Sequence, residues 1–531
     1  MNVWIKLKIF FLFITFHVCA TTTPYEATKD LPILYQGRFR SLDAAAQQWL
    51  YELSHKRTFQ EQSALQIAWD IALNGSQRWT NVPLLWIHYA HTKATLGLDQ
   101  KRDRFSYDEL TQALEARGTD QTNDPEIGAL VKRLNALITG LPMLMLPSKL
   151  HPGDWLPLHL LNGENLTPFS DADYRSLASA YHSLAQTTDL SAAATAFAES
   201  YQKAYQTIEN TPYRKATSKT LLYPSANRLA LETTYYRSPL IEIAIAFYAL
   251  ALLLFFWNRT LGWGFLLIGF AIHTLILGAR TYILGRPPVS NMFETVIYVP
   301  WIAITLSIAV SWRLKTRAVA LAGCVGAILL LILLKLSDLD AKMENVQAVL
   351  DSQFWLIIHV LMVVGSYGAF LISGLLAHFY LIQSLVTRSE PHTLSRAILT
   401  TLFVGVGLLI PGTLLGGVWA AESWGRFWDW DPKESWAFIS ACVYVVVIHA
   451  YVFKKISAFG LAVGAILGLI AISFTWYGVN YVLGTGLHSY GFSQGTTLYY
   501  YAYLGTELLF LLILFALKRI RPVTYDDVKF K

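Results

Sequence analysis

Two hydropathy regimes divide the chain. From Pro239 to about residue 517, long apolar runs alternate with short charged gaps, whereas residues 24–238 mix apolar and polar positions as a soluble domain does. A run of about 20 apolar residues crosses ~30 Å of hydrocarbon at ~1.5 Å per residue. On that measure about nine membrane helices are expected, near 239–257, 261–283, 294–312, 318–336, 354–386, 397–418, 436–453, 458–483 and 498–517. The fifth run is longer than a perpendicular span needs, so it tilts or protrudes. Within residues 24–238, helix-like periodicity recurs, as from Phe59 to Leu73 and from Leu184 to Ile208. Leu141-Pro142, Pro147 and His151-Pro152-Gly153-Asp154 interrupt it. The expected fold class is an all-α polytopic membrane protein, with about nine transmembrane helices after a mostly helical N-terminal domain.

The first residues have the pattern of a secretory signal. Lys6 and Lys8 precede the apolar run Ile9 to Val18, and Val18-Cys19-Ala20 suits cleavage after Ala20; an uncleaved anchor is the alternative. Cys19 lacks the Leu and small residues of a lipoprotein site. Either reading delivers the following residues outside the cytoplasm. The expected domains are a signal peptide (1–20), an extracytoplasmic domain (21–238), a transmembrane domain (239–517) and a cytoplasmic tail (518–531).

Charge then orients the spans. With the N-terminal domain outside, the inside loops hold Arg259, then Arg313, Lys315 and Arg317, then Arg388 and Arg396, then Lys454 and Lys455, then Lys518, Arg519 and Arg521. The outside loop 337–353 carries Asp338, Asp340, Glu344 and Asp351 against Lys342. That is the positive-inside pattern. Arg280 and Arg286, at the second span's outer end, break it. They either bind an anionic ligand group or snorkel to the interface.

Composition agrees with this organisation. Of 531 residues, 54% are hydrophobic and 15% charged, against about 45–50% and about 25% in soluble domains. The net charge of +6 requires no nucleic-acid partner, because much of it flanks spans. The chain has no C-x-x-C and no C-x-x-C-H, which excludes a dithiol redox site and a covalent c-type haem of its own. His55, His88, His91, His151, His159 and His182 form no metal-spaced cluster. His88 and His91, three apart, are read as surface or packing residues.

Candidate chemistry concentrates between the sixth and seventh spans. Five tryptophans (Trp419, Trp424, Trp428, Trp430 and Trp436) fall within eighteen residues on the expected outer face. An interfacial aromatic belt explains tryptophan at that depth. It does not explain this density, nor the interleaved Glu422, Gly425, Arg426, Asp429 and Asp431. Large rigid rings suit a flat apolar ligand such as a porphyrin face. Asp431-Pro432-Lys433-Glu434 also fits an N-cap, a Pro at the first helical position and a Glu at the third, so Asp431 and Glu434 start span seven. That narrows the aromatic platform to Trp419 through Trp430, with Arg426 or Lys433 available for ligand carboxylates.

The run Gly417-Val-Trp-Ala-Ala-Glu-Ser-Trp-Gly-Arg-Phe-Trp-Asp-Trp-Asp-Pro-Lys-Glu-Ser-Trp-Ala-Phe resembles the WWD haem-handling segment of cytochrome c biogenesis proteins. CcmC and CcmF carry such a segment too. Four further features narrow the likeness to the CcsA (ResC) branch of the system II cytochrome c synthase. They are Arg280 through Pro287-Pro288-Val-Ser-Asn-Met-Phe-Glu294, Trp355-Leu-Ile-Ile-His359, His449, and Gly486-Leu-His488-Ser-Tyr-Gly491. Together they cover about residues 239–491.

His359 near the outer end of span five and His488 beyond the outer end of span eight share the tryptophans' expected depth. A haem iron takes two axial ligands, which neutral imidazoles supply. The resemblance implies the same outer bis-histidine site. His449, near the inner end of span seven, is an ionisable residue in an apolar helix and a functional candidate by position. The resemblance implies that such a histidine binds haem entering from the cytoplasm. Its second ligand is His273, His378 or a residue of another chain.

The implied function is cytochrome c assembly. Haem b, the substrate, is brought to the outer site and presented for covalent attachment to apocytochrome c, which makes the chain a component of a holocytochrome c synthase (haem lyase). Implied partners are haem, apocytochrome c and a CcsB/ResB-like membrane subunit, in a bacterial inner membrane with the WWD segment on the periplasmic face. A haem transporter without synthase activity and a haem redox subunit are the alternatives. The expected site comprises His359, His488 and His449 as iron ligands, with His273, Trp419, Trp424, Trp428, Trp430 and Arg426 as further haem-binding residues.

Overall fold

In the computed structural model, residues 23–116, 125–151, 153–214, 220–337, 339, 341–343, 352–484 and 497–520 are described. The expected signal peptide therefore lies outside the described residues, as does His488. The chain divides into two compact units, Met1–Ser238 and Pro239–Lys531.

The first unit is built from helices joined by short hairpins. Serine side chains cap its helices: Ser41 accepts from the Ala44 N–H, Ser63 from Gln66, Ser170 from Asp173 and Ser225 from Arg228. Ser106 and Glu109 complete a reciprocal capping box. The core is aromatic, with Trp49, Trp69, Phe197 and Tyr201 wholly enclosed. Five two-stranded antiparallel pairings accompany the helices among the described residues, and one of them, Leu85–Trp86 with Arg104–Phe105, brackets the helix Ala90–Thr95. The hairpin Pro32–Tyr35 with Arg38–Ser41 turns at Gln36-Gly37, both at positive φ (50° and 75°), as a tight primed turn requires. At two to four residues, these strands are too short to show a period of two, so helical periodicity alone was legible. Two ion clusters tie the ends of this unit together. Glu232 accepts from Arg38 and from the Ser41 N–H, and Arg237 reaches both Asp43 (2.6 Å) and Glu26 (2.7 Å). His88 precedes the helix Ala90–Thr95 and stacks on Trp86 at 5.2 Å, so it does not share a helix face with His91.

The second unit is a helix bundle: α1 (Leu240–Leu254), α2 (Arg259–Leu284), α3 (Met292–Leu314), α4 (Ala318–Leu336), α5 (Leu361–Thr387), α6 (His392–Trp424), α7 (Pro432–Val452), α8 (Ala458–Ser473) and α9 (Thr497–Ile520). π-helical turns Leu356–Val360 and Phe474–Leu483 lead into α5 and out of α8. Among the described residues, eight helices are long and apolar enough to cross a membrane. α1, at 15 residues (roughly 22 Å long), makes a ninth only when taken with Ala226–Arg237 before it. The architecture is that of an all-α polytopic membrane protein.

α5 is the central helix, packed against α3, α4, α6 and α8. Lipid-embedded helices gain little from hydrophobic association, so close packing at small residues matters more. Phe370 of α5 stacks on Tyr444 of α7 at 3.8 Å with the planes 4° apart. Gly405 of α6 lies against the Phe370 ring and Gly468 of α8 against the Tyr444 ring; a Cβ at either would strike the aromatic carbons.

Candidate functional site

Two π-helical turns face one cavity. Such turns are rare and concentrate at functional sites, because the extra residue re-aims side chains. The first carries His359, whose Nδ1 lies 2.7 Å from the carbonyl oxygen of Gly412 in α6. A carbonyl only accepts, so Nδ1 carries the proton, and in the neutral tautomer Nε2 is the nitrogen that holds the lone pair. Metal-binding histidines are oriented by this kind of bond. The α6 face that receives the imidazole reads Gly412, Gly416, Trp419 and Glu422, at helical spacing. A Cβ on Gly416 would strike the His359 ring, and the Trp419 ring meets it edge-on at 5.9 Å. One turn earlier, the Trp355 Nε1–H donates to Glu422 at 2.9 Å. The two segments are thereby zipped together over the length that holds His359.

The cavity measures about 120 Å³. Its walls include His359, Tyr367, Trp419, Trp424, Trp428, Lys433, Glu434, Trp476, Asn480 and the segment 289–292. Trp476 belongs to the second π-helical turn, and its Nε1–H donates to Thr295 of α3 at 3.0 Å. Lys433 Nζ donates to Asn480 Oδ1 at 2.8 Å. The indole N–H of Trp428 is buried and has no acceptor among the described residues.

The tryptophan segment divides by structure. Trp419 and Trp424 lie on the last turns of α6, which ends at Gly425 in the left-handed region (φ 71°). Trp428 follows in the connecting loop. Trp430, at φ 56°, is 69% exposed and meets Trp428 edge-on, outside the cavity walls. Arg426 is exposed as well and pairs with Asp429 at 2.6 Å. Asp431 caps α7 by accepting from the Lys433 N–H, with Pro432 at the first position. Glu434 departs from the expected capping box, since its carboxylate accepts from the Asp429 N–H at 3.0 Å. Trp436 packs on Phe474 at 4.2 Å.

The other described candidates, His273, His449 and His378, are elsewhere. His273 is fully buried in α2, with Nδ1 3.1 Å from the Tyr248 hydroxyl and Nε2 3.0 Å from the Ile297 carbonyl. Nε2 must donate there, so Nδ1 accepts from the hydroxyl and both nitrogens are engaged. His449 stands on an exposed face of α7, its Nδ1 2.8 Å from the Val445 carbonyl. His378 lies between the Gly374 carbonyl (2.7 Å) and Glu507 of α9 (2.9 Å). His359 is thus the only expected iron ligand that lines the cavity among the described residues. Arg280 and Arg286 neither snorkel nor line it. Both are buried and clasp Glu294, which also accepts from Ser290, and Arg280 donates onward to the Ala341 and Lys342 carbonyls. The cluster braces the 289–292 wall.

Tyr367, Trp476, Asn480 and Thr295 were missed in the sequence. The available signal was polar and indole groups inside otherwise apolar spans, as in Phe474-Thr-Trp-Tyr-Gly-Val-Asn480.

Comparison with known proteins agrees with this architecture. A family model described as cytochrome C assembly protein matches residues 289–488. Protein NrfI of Wolinella succinogenes is 31% identical across 87% of this chain and 54% of its own length, so the chain spans about half of that relative. The cytochrome c biogenesis protein CcsA of Guillardia theta is 30% identical over 44% of this chain and 85% of its own length. The CcsA of Synechococcus sp. (strain CC9605) is 30% identical over 41% and 83%.

Proposed function

Because this chain belongs to the CcsA family of cytochrome c biogenesis proteins, we propose that it binds haem b as a substrate and presents it for covalent attachment to apocytochrome c. The observation that carries this reading is His359, oriented by the Gly412 carbonyl at Nδ1, on one cavity with Trp419, Trp424 and Trp428. His488 is the proposed second axial ligand. A cavity of about 120 Å³ is smaller than the roughly 300–1,000 Å³ that engulfs a ligand of drug size. A haem seated here therefore keeps an edge outside, as attachment demands. There the acceptor's cysteine thiols add across the vinyl groups. Each forms one C–S bond, the thiol proton passes to the other vinyl carbon, and the acceptor's own histidine displaces one axial ligand. Trp430 and Arg426, on the exposed rim, are proposed to contact that outer edge.

The wider assignment follows the same reading. His449 is proposed to hold haem at an earlier, inner station. Its exposed position on α7 favours a ligand from another chain, a CcsB/ResB-like membrane subunit, over His273, whose nitrogens are both engaged. The setting is a bacterial inner membrane, with a signal peptide at 1–20, residues 21–238 and the tryptophan segment on the periplasmic face, and residues 518–531 inside.

The test is coexpression of the full chain with a CcsB-like subunit and a reporter cytochrome c. Covalent haem should appear on the reporter with the wild-type chain, and His359→Ala should lower both reporter maturation and haem retained by the purified protein by tenfold or more. Unaltered haem content in both His359→Ala and His488→Ala would sink the ligand assignment. Haem retention with no reporter maturation would favour a carrier over a synthase.

A further inference from the structure

The cavity carries a cation that axial ligation and ring stacking leave unexplained. Lys433 is the only Lys or Arg among the described residues lining it. Its charge does nothing for α7, since a cation in the first turn opposes the helix dipole. It lies 47 positions before Asn480 in sequence, yet its Nζ meets the Asn480 amide oxygen at 2.8 Å. Asn480 is itself buried and anchored through its Nδ2 to the Trp476 carbonyl at 3.3 Å. The ammonium is therefore held in a fixed place on a wall of the cavity.

The second observation is independent. Trp428 lines the same cavity, and its indole N–H is buried with no acceptor among the described residues. A buried donor left unpaired costs about 1–3 kcal/mol. Such groups are uncommon in native structures and call for an explanation. A ligand acceptor supplies one. The Glu434 carboxylate on the same lining is taken up by the Asp429 N–H, and an ammonium and an indole N–H on the walls of one small, mostly apolar cavity match a ligand that combines a flat apolar body with an anionic oxygen.

We propose that Lys433 and the Trp428 N–H form a carboxylate-binding corner that selects a free carboxylate over its ester, taking one propionate of the haem, with Asn480 as the positioning residue for the ammonium. This rests on the haem-binding reading above. It settles the choice between Arg426 and Lys433 in favour of Lys433, because Arg426 lies exposed outside the cavity and pairs with Asp429. The corner also fixes which way the macrocycle turns in its own plane, and so which edge, carrying the vinyls, faces out.

The test compares haem with haem dimethyl ester, whose propionates are uncharged, by Soret titration of the full-length detergent-solubilised protein. Wild type should bind haem at least tenfold more tightly than the ester, the scale of one charge-assisted hydrogen bond. Lys433→Met should erase that preference by weakening haem alone, Trp428→Phe should reduce it, and Lys433→Arg should restore most of it. Equal loss of both ligands in Lys433→Met would make the residue merely structural, and an unchanged preference in Lys433→Met would overturn the proposal outright. A wild type that binds both ligands equally also refutes the corner while leaving haem binding intact. A wild type that binds neither refutes the haem reading itself.

Discussion

At the scale of single residues, the site turns on what surrounds one imidazole. His359 stood out in the sequence because of its expected depth and the Trp355-Leu-Ile-Ile-His359 run, but nothing there disclosed its tautomer. That depends on the Gly412 carbonyl, 53 positions away, and on the missing side chain of Gly416. Gly416→Val should therefore push the ring off its hydrogen bond and lower haem retention about as far as removing His359. Gly407→Val on the same helix, where an added Cβ meets nothing, should leave retention unchanged. Equal haem content in the two variants would separate ligand orientation from this glycine. The tryptophans were legible as a group, because five in eighteen positions exceed any belt. Their division into cavity wall and exposed rim was not, since it follows from where α6 stops. Arg426 and Lys433 look interchangeable in sequence, and only their placement distinguishes them.

At the scale of elements, helix ends are the features that composition foretold most directly. Asp431-Pro432 starts α7 as expected, while the Glu434 carboxylate is diverted to the Asp429 amide and so ties the Trp428–Trp430 loop to the helix it precedes. α9 is different. Most of its membrane window is unburied, and it joins the bundle through polar links. Glu507 meets His378 of α5, and Tyr500 meets Ser473 of α8 at 3.1 Å. His378 Nδ1 donates to the Gly374 carbonyl. Nε2 then either donates to a carboxylate as imidazolium or accepts from a carboxylic acid, and both arrangements are neutral overall, as hydrocarbon demands. Interhelical hydrogen bonds in membranes are worth about 0.6–2 kcal/mol. His378→Leu should thus lower the thermal stability of the solubilised protein by ~1–2 kcal/mol. His378→Leu with Glu507→Leu should recover part of that, because no carboxyl group is then stranded. A double variant no more stable than the single would show that the pair does not hold α9.

At the scale of the whole molecule, the two units respond to different solvents. The first is held by water-accessible ion pairs. Burial pushes the Glu26 carboxyl up, but hydrogen bonds from Arg237 and Lys29 outweigh it and hold the group below its ordinary value. The Lys93 ammonium does the same for Asp103. A carboxyl lowered in the folded state stabilises fully above its unfolded value, near 4, and that contribution disappears as pH falls through the folded value. Hydrogen exchange of the full-length protein should therefore show residues 23–238 losing protection between about pH 5 and about pH 3. Protection that stays constant to pH 3 would remove these pairs from the unit's stability.

The sequence by itself determined the membrane architecture, because a span must be long and apolar whatever it packs against. It also determined the aromatic density of the Trp419–Trp436 segment and the family resemblance carried by that segment and its companions. Only the tertiary structure decided which of those residues meet. The short hairpins, the His359 tautomer, the Arg280–Glu294–Arg286 brace and the far wall of Tyr367, Trp476 and Asn480 all depend on contacts between distant positions. A hydrogen bond from the turn before α5 to α6, or from Lys433 to Asn480, leaves no periodic trace in either partner. The segment that announced the site in sequence therefore proves to be one wall of it, and the opposite wall became visible only in the folded chain.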